Sequence, residues 1–288
     1  MHMIPAHIVE VVTPKKVLLN GLWFGSKKPK RVIVWVHGLG SSVFSKLDII
    51  DLLARGDTAV LSFNNRGHDT MSGIIRGKKK IMVGSAHEIF EECVDDIDGA
   101  VAFARAQEAQ DIFLAGHSTG CQKSIYWAMK RKDTGIAGII LLAPIADMTT
   151  MTPEQKKLQA RATMQAHTLV SVGKSHALLS ERLWPVPVDA QRFLSLYTSD
   201  SVENSIFPYF DASKTPRILQ SVRVSLLVLL AESDEYADRP AKDISAWFTA
   251  NNRARTFSVS IVSRVTHSFK SGEADVASII KQWIRAIK

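Results

Sequence analysis

From Arg31 onward, short apolar runs rich in β-branched residues alternate with stretches whose apolar positions recur at helical spacing. Strands over 32–36, 58–63, 111–115, 138–142, 224–230 and 257–262 alternate with helical patterns over 45–54, 87–106, 121–130, 241–250 and 273–287. Such alternation predicts a mostly parallel sheet covered by helices on both faces. Two earlier runs, 7–13 and 16–24, are separated by a tight connection containing Pro14 and predict an antiparallel lead-in at one edge. The expected fold is therefore α/β, an eight-stranded mostly parallel sheet flanked by helices. In the pattern over 87–106, Ile89, Cys93, Ile97, Val101 and Ala104 fall on one face, which should pack against that sheet.

Between positions 147 and 217 the pattern becomes helical, Met-containing and polar, with helices over 153–172 and 188–196 and no clear strand. An insertion of this size between two strands needs packing of its own. It predicts a helical cap or lid over the carboxyl ends of the strands, which divides the chain into a core (1–146 and 218–288) and a cap (147–217). Trp184, Phe193, Tyr197, Phe207, Tyr209 and Phe210 could line a pocket there. Trp184 and Phe193 are the candidates for substrate contact, although the plainer expectation for any single aromatic is that it holds the cap together.

Length and composition narrow the class without naming a reaction. A chain of 288 residues, 46% hydrophobic and 22% charged, can bury one large core plus an insertion. The formal charge of +8 is spread over Lys27, Lys28, Lys30, Arg31, Arg76, Lys78, Lys79, Lys80, Lys156 and Lys157. That scatter reads as solvated surface, so no nucleic-acid partner is expected. Cys93 and Cys121 are the two cysteines and have no metal-ligand spacing, so both are expected to be buried thiols. Met1 to Glu10 lacks the charged start and long apolar stretch of a leader, and no apolar run is long enough to span a bilayer. The expected compartment is the cytoplasm, without stable membrane insertion.

The chemistry concentrates at Gly116-His117-Ser118-Thr119-Gly120, which follows an apolar strand and opens a helix. That is the context of a G-x-S-x-G nucleophile elbow, a turn so sharp that only small flanking residues avoid collision. Ser175, in Gly173-Lys174-Ser175-His176-Ala177, lacks both the preceding strand and the second glycine. A serine hydroxyl needs a base to take its proton during attack, and imidazole suits neutral pH. Of nine histidines, His267 alone lies in a loop after the last strand and before the last helix. His117 adjoins the serine but should point elsewhere, and His37 should hydrogen-bond backbone.

The imidazole in turn needs an orienting carboxylate from a loop after another strand. Glu232, Asp234, Glu235 and Asp238 all fit, with Asp234 preferred, Glu235 its rival and Asp238 placed near the next helix. Ser118, Asp234 and His267 then follow the chain order of an α/β-hydrolase triad. Backbone N–H groups must meet the developing oxyanion. Thr119 supplies one at the helix start, and Leu39 in His37-Gly38-Leu39-Gly40 the other.

With these motifs assembled, nearly the whole chain resembles the α/β-hydrolase superfamily. Asn64-Asn65-Arg66-Gly67-His68-Asp69, Gly116 to Cys121 and Leu141-Leu142-Ala143-Pro144 look like a branch containing siderophore esterase-like hydrolases. The resemblance implies a serine esterase acting on a small-molecule acyl ester. Amidase, peptidase or thioesterase chemistry on the same triad stays open, as does a ligand-binding sensor that keeps the fold without turnover. Arg66 and His68 are expected to be architectural. No phosphate loop, dinucleotide fingerprint or zinc spacing is evident, so neither cofactor nor metal is expected. Oligomeric state is not legible.

Overall fold

A computed structural model describes residues 3–131, 133–146 and 152–287. The first five positions expected to belong to the cap, 147–151, lie outside the described residues. Ten strands form one sheet: β1 (His7–Val12), β2 (Val17–Gly25), β3 (Arg31–Val36), β4 (Thr58–Phe63), β5 (Ser72–Arg76), β6 (Lys79–Val83), β7 (Asp111–His117), β8 (Gly138–Leu142), β9 (Ser225–Ala231) and β10 (Phe257–Val262). The order β10-β9-β8-β7-β3-β4 is parallel throughout. β2 then pairs antiparallel with β4 and, at its start, with β5, while β1 runs antiparallel along its other edge. The α/β class and the edge lead-in are as the pattern predicted.

The strand count is corrected from eight to ten, because β5 and β6 form an antiparallel hairpin that the pattern did not reveal. Its two strands are short and mostly exposed, with Lys78, Lys79 and Lys80 at and beyond the turn, so hydrophobic alternation is nearly absent. Arg76 pairs with Lys79, which leaves Gly77 and Lys78 as a two-residue turn; Gly77 has φ 62°. A Gly-X pair between two short runs was the available signal.

The α-helices among the described residues are α1 (Leu47–Leu53), α2 (Cys93–Arg105), α3 (Thr119–Lys130), α4 (Pro153–Ser171), α5 (Ala190–Tyr197), α6 (Arg217–Ser221), α7 (Ala241–Asn251) and α8 (Glu273–Ala286). The pleat divides the sheet's apolar residues between two cores. Val32, Val34 and Val36 of β3 join Ile97 and Val101 of α2, Ile125 of α3 and Phe248 of α7 on one face. Ile33 and Trp35 join Ile49, Ile50 and Leu53 of α1 and Ile280, Trp283 and Ile284 of α8 on the other. β8 and β9 are buried at every position, as strands covered on both faces must be.

Between β8 and β9, α4 and α5 pack on each other around a separate cluster of Ala162, Ala166, Leu179, Val188, Ala190 and Phe193. Helix α4 starts at a capping box in which the Thr152 hydroxyl accepts from Gln155 N–H and the Gln155 side chain accepts from Thr152 N–H, with Pro153 in the first turn. Further along, Ile206, Phe207, Tyr209 and Leu219 return to the main core. No helix among the described residues is long and apolar enough to cross a membrane.

Candidate active site

Ser118 sits at the junction of β7 and α3 with φ 55° and ψ −128°, a conformation costly for any residue with a Cβ. Its neighbours permit the turn because they have no side chains to collide. A Cβ on Gly116 would lie 2.3 Å from the Gly120 carbonyl oxygen, and one on Gly120 would lie 2.2 Å from that of Val36. Ser118 N–H donates to the Leu142 carbonyl at 3.0 Å, which ties the turn to the end of β8. The loop after β3 crosses close by: a Cβ on Gly38 would lie 2.8 Å from Ser118 Cβ. Cys121, one of two buried free thiols, contacts the Gly116 and Leu142 carbonyls beneath the serine.

The loops after β9 and β10 bring Asp234 and His267 together. His267 Nδ1 lies 2.8 Å from Asp234 Oδ2, with both side chains at most one-tenth exposed. The rival carboxylates have other partners. Glu235 accepts His267 N–H at 2.8 Å, Glu232 accepts Arg264 N–H at 2.7 Å, and Asp238 pairs with Arg239. Asp234 also accepts Tyr236 N–H at 3.0 Å, and the Tyr236 ring meets the His267 ring edge-on at 5.0 Å. Glu232 and Glu235 thus tie the two loops together, and Asp234 holds the imidazole.

A cavity of about 300 Å³ opens onto these groups, lined by Gly38, Leu39, Lys46, Ser118, Tyr236 and His267 among others. Neither Leu39 nor Thr119 has a protein acceptor for its N–H among the described residues; Thr119 is in the first turn of a helix, where such groups are left over by geometry. His37 is buried, and burial together with the nearby Lys123 ammonium depresses its pKa to about 3. Its Nδ1 lies 2.8 Å from the Gly38 carbonyl and its Nε2 accepts Asn65 N–H at 3.2 Å, so a neutral ring holds the loop, as expected. His117 departs from expectation. It lines the cavity, its ring lies tilted against that of His267 with centroids 5.0 Å apart, and its Nε2 donates to the His267 carbonyl at 3.0 Å. Burial, then the charge of Lys46, keeps it neutral by holding its pKa well below the usual imidazole value.

A model of the family described as serine aminopeptidase, S33, matches residues 27–273. The chain belongs to this family of α/β-hydrolases. A stretch of 135 residues, 47% of the chain, is 26% identical to an uncharacterized abhydrolase domain-containing protein of Dictyostelium discoideum, of which the match spans only 13%. Among solved structures, a siderophore hydrolase of Aspergillus fumigatus, EstB, superposes with a TM-score of 0.73 at 16% identity, covering 99% of this chain and 98% of that one. A monoacylglycerol lipase of Paleococcus ferrophilus superposes at 0.64 and 19% identity, covering 92% and 98%. At such identities the likeness is one of fold.

In this S33-family chain, two residues expected to touch substrate lie elsewhere. Phe193 is fully buried, and Trp184 packs on it and on Tyr197 with ring centroids 4.6 to 5.1 Å apart. The three rings form the interior of the α4–α5 pair, and none lines the Ser118 cavity. Their apolar area stabilises more when buried against one another than when left facing water.

Sequence reasoning also missed a buried charge chain beneath the elbow. Lys123, on the helix that Ser118 opens, ion-pairs with Glu88 and donates to Asn65 at 3.1 Å; Glu88 also binds Arg192 of α5 at 2.8 Å, and Arg192 reaches Glu203 at 2.5 Å. Burial would raise the Glu88 pKa, but Lys123 and Arg192 hold it below the ordinary carboxylate value. Arg66 pairs likewise with Glu92, Asp95 and Asp96, and His68 contacts the Asn65 carbonyl and the Ser72 hydroxyl, so both are architectural. Nothing local in the sequence signals these partners. Lys46 and Tyr236, the other additions to the cavity wall, are equally silent.

Proposed function

We propose that the chain is a serine ester hydrolase acting through an acyl-enzyme. The observation that carries this reading is the Asp234–His267 hydrogen bond on the wall of the cavity that contains Ser118. Ser118 Oγ attacks the acyl carbonyl as His267 Nε2 takes its proton, and Asp234 holds Nδ1–H and stabilises the imidazolium. The Leu39 and Thr119 N–H groups donate to the tetrahedral oxyanion, an effect of about 3–4 kcal/mol per donor. His267 then protonates the departing alkoxide. A water deprotonated by the same nitrogen attacks the acyl-serine, and release of the acid restores Ser118 Oγ–H. His117 is a positioning residue, since its hydrogen bond holds the His267 backbone.

The family description names aminopeptidases, and the cavity wall argues against that substrate here. A free α-ammonium needs a carboxylate facing it, and among the described residues lining the cavity there is none, whereas Lys46 contributes an ammonium. A compact ester carrying an acidic group fits better. In this reading α4 and α5 form a cap, with aromatic residues that serve its own packing.

The test is intact-mass analysis after a fluorophosphonate probe, with turnover of short p-nitrophenyl esters and of an amino-acid p-nitroanilide. One adduct per chain on Ser118, absent in Ser118→Ala, with ester turnover exceeding anilide turnover, is expected. Labelling with no turnover of either would favour a sensor, and faster anilide cleavage the peptidase.

A further inference from the structure

Outside the Ser118 cavity, three segments distant in sequence bring metal-ligating atoms to one point. His87 lies in the loop between β6 and α2, His176 in the loop after α4, and Asp189 caps the start of α5. Asp189 Oδ2 lies 3.0 Å from His87 Nδ1 and 2.8 Å from His176 Nδ1. One carboxylate oxygen thus faces two imidazoles, and all three ligating atoms fall within 4.8 Å of one another. Asp189 is fully buried, and among the described residues its ion-pair partners are these two histidines and no lysine or arginine. A carboxylate removed from water needs compensation, and Arg192, the nearest cation in sequence, is committed to Glu88 and Glu203.

The cluster is held by its surroundings as a built site is. Asp189 Oδ1 accepts Arg192 N–H at 2.8 Å and Gln191 Nε2 at 3.1 Å, which fixes the plane of the carboxylate and turns Oδ2 toward the imidazoles. Backbone bonds clamp the three segments: Asp189 N–H to the Ala86 carbonyl, Gln191 N–H to that of Ser175 and Ala190 N–H to that of Ala177, at 2.8 to 3.0 Å. Hydrogen-bonded support of this kind is what orients metal ligands. His176 is 60% exposed at its side chain and leaves a path from solvent.

We propose that His87, His176 and Asp189 bind a divalent transition-metal ion, with zinc the best match to two imidazoles and one carboxylate. Zinc bond lengths of about 2.0–2.2 Å in a tetrahedral arrangement separate adjacent ligand atoms by about 3.3 Å, so the two carboxylate contacts need open by only a few tenths of an ångström, while the two imidazoles, within 4.8 Å of each other, settle to the same separation. Three protein ligands leave the fourth position for water. To ligate through Nδ1 each imidazole must be neutral with its proton on Nε2, so a ring that starts protonated on both nitrogens releases one proton on binding. Because His87 belongs to the core loop and the other two ligands to the α4–α5 segment, the metal fastens that segment to the core.

The test titrates chelator-treated full-length protein with zinc by calorimetry and with cobalt by visible absorption. One saturable equivalent per chain is expected, with the intense bands of four-coordinate cobalt. A zinc concentration about a hundredfold above Kd should raise Tm by roughly 4–8 °C. His176→Ala, a change at an exposed side chain, and Asp189→Asn, which keeps the helix cap, should each raise Kd at least about tenfold. Circular dichroism establishes that both remain folded. Absence of saturable binding in the parent overturns the proposal. So does unchanged affinity in both folded variants, which would place the ion on other histidines.

Discussion

Asp234 and Asp189 each accept histidine Nδ1, from His267 at 2.8 Å and from His176 and His87 at 2.8 and 3.0 Å. The pairs are alike in distance and differ in what surrounds them. His267 lines a cavity shared with Ser118, with Tyr236 edge-on and His117 bonded to its backbone. His87 and His176 face no elbow; they line a second cavity together with Arg66, Arg76, Glu88 and Glu92. A carboxylate–imidazole hydrogen bond therefore fixes a ring without fixing its task. In the proposed function a nucleophile beside the ring makes it a base, and in the proposed metal site a second imidazole on the same oxygen makes a ligand set.

Removing the charge at each carboxylate tests that distinction most strongly. Asp234→Asn should lower ester turnover by on the order of 10⁴ with the fold retained, because the amide no longer holds the productive tautomer. Glu235→Gln, which alters only a bond to backbone N–H, should cost far less. The reverse ranking in measured kcat would transfer the orienting role to Glu235.

The cavity beside His267 also carries an ammonium, that of Lys46. Lys46→Met should lower kcat/KM roughly tenfold for an ester bearing a carboxylate, the scale of one charge-assisted hydrogen bond, and leave the value for a neutral ester of equal size nearly as it was. Equal losses on both esters would remove Lys46 from substrate selection.

The effect expected at Asp189 falls on stability and leaves turnover least changed. Asp189→Asn without added metal should cost about 1–3 kcal/mol of stability, read from denaturant midpoints, since it weakens two charge-assisted hydrogen bonds. A loss of turnover as deep as that of Asp234→Asn would abolish the distinction between the two clusters.

The elbow was legible because its signal is local: an apolar strand, a serine between glycines and a helix occupy adjacent positions. The acid was half legible. Chain order led to residues 232–238, and Asp234 was preferred there, but each of the four carboxylates has its own partner, which only the folded loops reveal. The β5–β6 hairpin was hidden because an exposed, lysine-rich edge need not alternate. Trp184 and Phe193 were left between two readings because an aromatic in a helical insertion has the same sequence whether it packs inward or toward a ligand.

The sequence by itself determined the parallel sheet and its helices, the strained turn at Ser118, and the loops that carry Asp234 and His267. These depend on backbone preferences and apolar periodicity within a few residues. Tertiary structure decided that Asp234 orients His267, that His37 and His117 stay neutral, and that His87 meets Asp189 across 102 positions. Burial and long-range hydrogen bonds set those outcomes, and both come into being only when the sheet, its covering helices and the α4–α5 segment are packed together.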